Sequence, residues 1–444
     1  VRFMTMNSGD TAWVLAASAM VLLMTPGLAF FYGGMVRAKS VLNMMMMSFV
    51  TIGMVSVLWT IFGYGLAFGD SGSGLYGYFG LSHLAEQVNG MTNNGGVYPI
   101  PTLAFSAFQL MFAIITPALI SGAIADRTKI SSWLIFMTVW VTVVYFPVAH
   151  WVFFFGTKHK DGKITGAGWL AARGVLDFAG GTAVHINAGA AALALAIVLG
   201  KRVGFPRTPM KPHNIPLVLI GTGLLWFGWF GFNAGSALGA NGLAALALIN
   251  TQVATAAGLL GWIIVEKIRG GHMTTLGAAS GAVAGLVAIT PSCAFVSPLG
   301  AVAIGLLAGA VCALAVGLKY KFGFDDSLDV VGVHLVGGIL GTLSIGFLGT
   351  TSVNSGGANG LLHHGGFTLL GKQALGAGSV FAYSFVISYV LGMIIKHTIG
   401  FRITAEAEVS GIDLAEHQET GYEFGLASGS FASRLVTARE GAES

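Results

Sequence analysis

Asp177-Phe-Ala-Gly-Gly-Thr-Ala-Val-His185-Ile-Asn-Ala-Gly-Ala-Ala-Ala-Leu-Ala-Leu-Ala-Ile-Val-Leu199 decides how this chain folds. After the aspartate the run carries no acidic or basic side chain except one histidine. About 20 such residues, rising ~1.5 Å each, cross the ~30 Å hydrocarbon layer of a bilayer. The stretch therefore reads as a transmembrane helix with an imidazole about two turns inside the membrane. Ionisable groups at that depth are rare and mostly face a cavity or a partner. A second stretch repeats the arrangement: Asp325-Asp326-Ser-Leu-Asp329-Val-Val-Gly-Val-His334 opens another apolar run. Asp326 precedes His334 by the same eight residues that separate Asp177 from His185.

Further apolar runs extend the reading over the whole chain. Spans are expected near 12–36, 43–68, 101–124, 131–154, 178–199, 215–237, 243–265, 274–291, 299–318, 330–349 and 373–395. The expectation is an all-α membrane protein of about eleven transmembrane helices. The first run is too long for a cleaved signal and contains the Pro26-Gly27 break, so it reads as a retained helix. Composition agrees: 55% of residues are apolar and 9% charged, against about 25% charged in soluble domains. The 66 glycines show no collagen period, and in an apolar chain they let helix backbones approach closely. A net charge of +4 suggests no nucleic-acid partner, and Cys293 and Cys312 lie in apolar runs rather than a disulfide framework.

Basic residues set the expected orientation. One set of loops, with the tail, holds 16 of the 22 lysines and arginines, including Arg37, Arg127, Arg202, Lys267 and Lys319. By the positive-inside rule this set is cytoplasmic, which puts the N-terminus outside and the C-terminus inside. The loop Lys158–Arg173 is an exception. The two Asp-to-His segments lie five helices apart, so they point in opposite directions. This suggests an inverted repeat of helices 1–5 and 6–10 with a working site near the midplane. Residues 1–403 read as the transmembrane domain and 404–444 as a cytoplasmic C-terminal tail.

His185 and His334 are the first candidates for function. Each neutral ring has one donor and one acceptor nitrogen. Two facing rings can share a proton and relay another to a small passing molecule. The plainer alternative is a pair of satisfied interhelical hydrogen bonds, and the matched positions favour function. Asp177 reads first as an N-cap and second as a distant attractor for cations; the two roles are compatible. Asp325, Asp326 and Asp329 occupy the same helix-start position in the other half. Phe108 and Phe112 share one helix face, and Trp226, Trp229, Phe232 and Ser236 crowd the sixth span. Such stripes are mostly packing, but aromatic faces also attract cations. His150 sits at a helix end and reads as structural.

These residues resemble the ammonium transporter family (Amt/Mep/Rh), and the bacterial Amt branch in particular. The resemblance is carried by Pro26-Gly-Leu-Ala-Phe-Phe-Tyr-Gly-Gly34-Met, the Asp177–Asn187 stretch, Gly228-Trp-Phe-Gly-Phe232-Asn-Ala-Gly-Ser236-Ala, the glycine- and alanine-rich run from Gly277 to Pro291, and Gly332-Val-His334. It covers about residues 10–425. It implies a homotrimer in the cell (inner or plasma) membrane with one pore per subunit. Phe112 and Phe232 would form the gate. Phe112, Phe153 and Ser236 would recruit ammonium at an outer site. His185 and His334 would line the pore, and Asp177 would be the outer aspartate. Relatives often carry Trp where this chain has Phe153; Trp151 or Trp169 are candidate substitutes. Gly411-Ile-Asp413 and Tyr422 resemble the cytoplasmic tail of bacterial relatives, on whose inner face a PII-type signal protein (GlnK) docks. The alternative is a solvated acidic tail with Glu406, Glu408, Glu416, Glu419 and Glu423.

Four rival readings stand beside this one. A sensor of ammonium would signal through the tail. A haem carrier usually needs four deep histidines for two haems, and two are present. Two histidines without a third ligand make no catalytic zinc site, and no stretch suggests a carbonyl-ring potassium filter. No cofactor and no enzymatic activity are expected.

Overall fold

The structure is a computed structural model and describes residues 5–422. Ten of its helices are long and apolar enough to cross a membrane. They are α1 (Ser8–Met35), α2 (Ala38–Phe68), α3 (Thr102–Ile124), α4 (Ile130–Phe153), α5 (Gly181–Leu199), α6 (Ile215–Gly235), α7 (Gly242–Gly270), α9 (Pro298–Phe322), α10 (Val331–Leu348) and α11 (Thr368–Thr398). A shorter apolar helix, α8 (Thr275–Ile289), lies between α7 and α9. Two small helices follow, α12 (Ala405–Ser410) and α13 (Ile412–His417). Most expected spans recur within a few residues. The largest difference is α11, which runs 31 residues where the apolar stretch suggested a shorter span.

Loop contacts sort the chain into two faces. On the face where α1 begins, Asn7 N–H bonds to Pro99, Gly95 to Gly156 and Phe178 to Pro291. On the face where α1 ends, His213 N–H bonds to Val36, Ser327 to Ala123 and Ile403 to Arg127. Successive helices alternate between these faces. Consequently α1 and α6 are antiparallel neighbours, and so are α5 and α10. Glycine makes these contacts close. A Cβ at Gly221 of α6 would stand 2.3 Å from the Phe31 nitrogen of α1. One at Gly189 of α5 would stand 2.6 Å from the Leu335 nitrogen of α10. Backbone-to-backbone packing of this kind holds helices together where lipid removes the hydrophobic drive.

The face where α1 ends is tied by buried charges. Arg202 binds Asp325 through Nε at 2.9 Å and Nη2 at 2.9 Å, and reaches Asp126 at 3.2 Å. Arg127, fully buried, donates to the Asp325 carbonyl at 2.6 Å and to Ser327 at 2.6 Å. Burial pushes the Arg127 guanidinium down to about 10, with Asp325 pulling the other way. Bidentate arginine geometry of this sort fixes loop register. It joins the loop before α4, the loop after α5 and the loop before α10.

The tail packs on this same face. Asp413 accepts the N–H groups of Leu42 at 3.0 Å and Asn43 at 2.8 Å. Glu416 accepts Ile130 N–H at 3.0 Å, and Glu408 accepts Val203 N–H at 2.6 Å. His417 meets Asn43 at 3.0 Å and Tyr422 meets His213 at 2.9 Å. The solvated-tail reading therefore fails for Glu408 and Asp413, which are buried against their own chain, while Glu406 and Glu419 are exposed. Tail acids satisfy orphan N–H groups where α2 and α4 start. Glu423 and the rest of the tail to residue 444 lie outside the described residues.

Candidate functional site

Both histidines sit on wide, π-type turns that start their helices. Gly181–Ile186 carries His185 and Val331–Leu335 carries His334. Such turns are rare and frequent at functional sites. Each is begun by the aspartate eight residues before its histidine. Asp177 accepts Gly180 and Gly181 N–H through one oxygen, both at 2.7 Å. Its other oxygen accepts Thr182 N–H at 2.8 Å, Ala183 N–H at 3.2 Å and the Thr182 hydroxyl. Gly180, at φ +123°, lets the chain turn under this carboxylate. In the other half Asp326 accepts Val330 at 3.1 Å and Val331 at 2.8 Å. Asp325 and Asp329 do not share that role, although all three acids had looked equivalent. Asp325 is held by Arg202, and Asp329 pairs with Lys319 at 2.6 Å.

The two starts bring the rings together from opposite faces. His185 Nδ1 lies 3.2 Å from His334 Nδ1, with ring centroids 5.3 Å apart. One shared hydrogen between the two nitrogens satisfies both. His185 Nε2 is buried and has no hydrogen-bond partner among the described residues. It is an open polar atom in an apolar shell, where polar groups are normally paired. His185 also stacks on Trp229 at 5.4 Å, and Trp229 is fixed by a 2.8 Å bond to Thr290. The sequence marked Trp229 only as part of a stripe.

Phe112 and Phe232 stack at 4.1 Å, and Phe232 lies 6.2 Å from the His185 ring. Both phenylalanines are almost fully buried. On the side away from the histidines is a cavity of about 280 Å³. It is lined by Phe112, Phe153, Asp177 and Ser236, the residues singled out in the sequence, together with Gln109 and Tyr98. Ser236 donates its hydroxyl hydrogen to the Phe232 carbonyl at 2.8 Å. Its oxygen lone pairs are thereby left for a donor in the cavity. Trp151 and Trp169 do not line this cavity. Trp151 bonds to the Leu75 carbonyl at 2.7 Å and packs on Trp169, so neither takes the place of Phe153. His150 bonds to the Ala67 carbonyl at 3.0 Å.

Fold and site define a multi-pass, all-α membrane protein whose buried histidines and aromatic rings line up across the bundle. The family model described as Ammonium Transporter Family matches residues 12–422. An ammonium transporter of Mycobacterium tuberculosis is 57% identical, covering 98% of this chain and 94% of its own length. Ammonium transporter Amt1 of Archaeoglobus fulgidus is 43% identical, covering 94% and 100%. Candida albicans Mep2 superposes with a TM-score of 0.82 at 30% identity, covering 95% of this chain and 94% of that one. A sensor Amt protein matches with a TM-score of 0.82 at 30% identity, covering 92% and 98%. The chain belongs to the ammonium transporter family, and ammonium transport is the activity this membership supports.

Proposed function

We propose that this chain carries ammonia from the vestibule of Phe112, Phe153 and Ser236, past the stacked Phe112–Phe232 gate, and along the His185–His334 pair. The observation that carries the reading is the 3.2 Å contact of two imidazoles from opposite helix starts, directly behind the phenylalanine stack. Aromatic faces attract a cation by roughly 0.5–2 kcal/mol, and the Ser236 oxygen accepts one of its N–H bonds. An intact ion would lose its hydration in the apolar passage at a cost of many kcal/mol. Ammonium therefore gives up a proton to the His185 Nε2 and crosses as the neutral molecule, while the proton passes separately along the His185–His334 pair. The open His185 Nε2 meets it beyond the gate, and Asp177 draws cations to the vestibule while capping α5. The face where α1 begins is the outer one, the membrane is the plasma membrane, and three copies assemble. Residues 1–403 form the transmembrane unit, and the docked tail offers its exposed acids to a PII-type protein.

Transport is favoured over sensing because the 57% identical relative is named an ammonium transporter, whereas the likeness to the sensor Amt protein is 30%. The test is current on addition of ammonium to the purified protein in a planar membrane. Ammonium-dependent current, absent with potassium, is the expected result. No response to ammonium in current or uptake overturns the reading.

A further inference from the structure

One aspartate at the start of α10 has a carboxylate that neither helix start uses. Beyond His334, towards the face where α1 ends, lies a void of about 10 Å³. It is lined by His334, Asp329, Tyr32 and Ser280. That is close to the ~10–15 Å³ that one water molecule needs. Four acids stand at the ends of the two histidine helices, and three are fully engaged. Asp177 accepts five donors, and Asp326 caps the start of α10. Asp325 is held by Arg202 on both oxygens. The Asp329 carboxylate differs: its hydrogen bond is to Lys319, at 2.6 Å, and its side chain is 29% exposed. Lys319 also donates to the Asp326 carbonyl at 3.1 Å, so the ammonium group is anchored and holds the carboxylate in place. Asp329 adopts φ +64°, a conformation that aspartate tolerates better than most residues. Its carbonyl, not its carboxylate, takes Val333 N–H at 2.9 Å. The start of α10 thus does not depend on this carboxylate.

We infer that Asp329 is the proton acceptor at the second mouth of the pore, taking from His334 the proton that ammonium surrendered beyond the gate. The inference rests on the function proposed above. The proton enters at His185 Nε2, and the hydrogen shared between the Nδ1 atoms moves to His334. The remaining N–H bond of His334 then breaks and an O–H bond forms on Asp329, directly or through one water in the void. The acid releases this proton to solvent through its exposed edge and becomes a carboxylate again. No charge is left on the rings, and one positive charge has crossed. The charged and titratable groups facing Asp329 are Lys319 of α9, Tyr32 of α1, Asp326 of the preceding loop and His334 itself.

The test uses the full chain in liposomes adsorbed on a solid-supported membrane, with current evoked by an ammonium jump. Asp329→Asn is expected to cut the peak current at least tenfold, while the half-saturating ammonium concentration shifts less than twofold. Asp329→Glu should keep most of the current. Formate on both sides, a small diffusible proton acceptor, should restore part of what Asp329→Asn loses. Elution of each variant at the unsubstituted size checks assembly. Current within twofold of the unsubstituted protein in Asp329→Asn overturns the inference. So does a loss that formate does not reverse, which would make the residue structural. If the unsubstituted protein gives no ammonium current, the function itself fails and this inference with it. If that current is present and depends on His185 and His334 but not on Asp329, this inference alone fails.

Discussion

Replacing Asp177 separates its two roles. The carboxylate holds four backbone N–H groups and the Thr182 hydroxyl at the start of α5. Losing a helix cap costs about 0.5–2 kcal/mol, and a buried donor left unpaired costs ~1–3 kcal/mol. The five terms do not add. Thr182 can turn its hydroxyl, and donors beside the 280 Å³ cavity can take water. Asp177→Ala should therefore destabilise the protein by roughly 2–4 kcal/mol. Asp177→Asn is not neutral either. Its carbonyl can replace one oxygen and keep that oxygen's N–H bonds, but its NH₂ then points at the donors of the other. A loss of about 1–2 kcal/mol follows. Thermal unfolding in detergent should rank wild type above Asn and Asn above Ala, and ammonium uptake in liposomes should fall in both. Asn matching wild type in both measurements would refute the argument that the negative charge is used.

Three other predictions follow from the same geometry. His185→Ala and His334→Ala should fold and assemble, yet lose ammonium transport or admit potassium; unchanged uptake with unchanged potassium exclusion in both would remove the relay. Phe153→Trp should lower the half-saturating ammonium concentration about two- to fivefold, from ~0.5–1 kcal/mol of better cation–π attraction, and Ser236→Ala should raise it; if neither moves in uptake assays, recruitment happens elsewhere. Burial by itself would raise the Asp325 carboxyl, but Arg202 and Arg127 outweigh it and hold it below the usual carboxylate range. A depressed folded value means its stabilisation is complete above the unfolded value of about 3.9 and is lost as pH falls below it. Melting temperature should drop on acidification through that window, and Asp325→Asn should flatten the drop while melting lower at neutral pH.

Much of this was legible in the sequence because lipid imposes simple rules. Uninterrupted apolar runs mark the helices, and the repeated Asp-to-His step marks where both histidine helices start, but nothing in it marks the π-type turns found there. What was hidden depended on partners distant in sequence. Gln109 and Tyr98 join the cavity from α3 and from the segment just before it, and nothing local marks them. The tail acids looked solvated because charge usually means exposure. Glu408 and Asp413 are buried because distant helix starts supply unpaired N–H groups for them to accept. The failure of Trp151 and Trp169 to replace Phe153 is likewise a matter of direction, since the Leu75 carbonyl claims the Trp151 indole.

The two halves repeat a backbone device but not an electrostatic one. Each begins a histidine helix with an aspartate that accepts the N–H groups of a wide turn, and that shared geometry brings the Nδ1 atoms to 3.2 Å. A symmetric pair of mouths would serve both directions alike. In the proposed path the first mouth has an aspartate whose oxygens are spent on backbone donors, beside aromatic faces and a hydroxyl lining the cavity. The second mouth adds an acid outside the cap, paired to a lysine and open to solvent. A carboxylate whose lone pairs all have donors offers no free acceptor position, whereas an exposed one with spare lone pairs does. On the relay proposed above, directional handling of the proton needs no asymmetry in the histidines, only in which acid at each end still has an oxygen to spare.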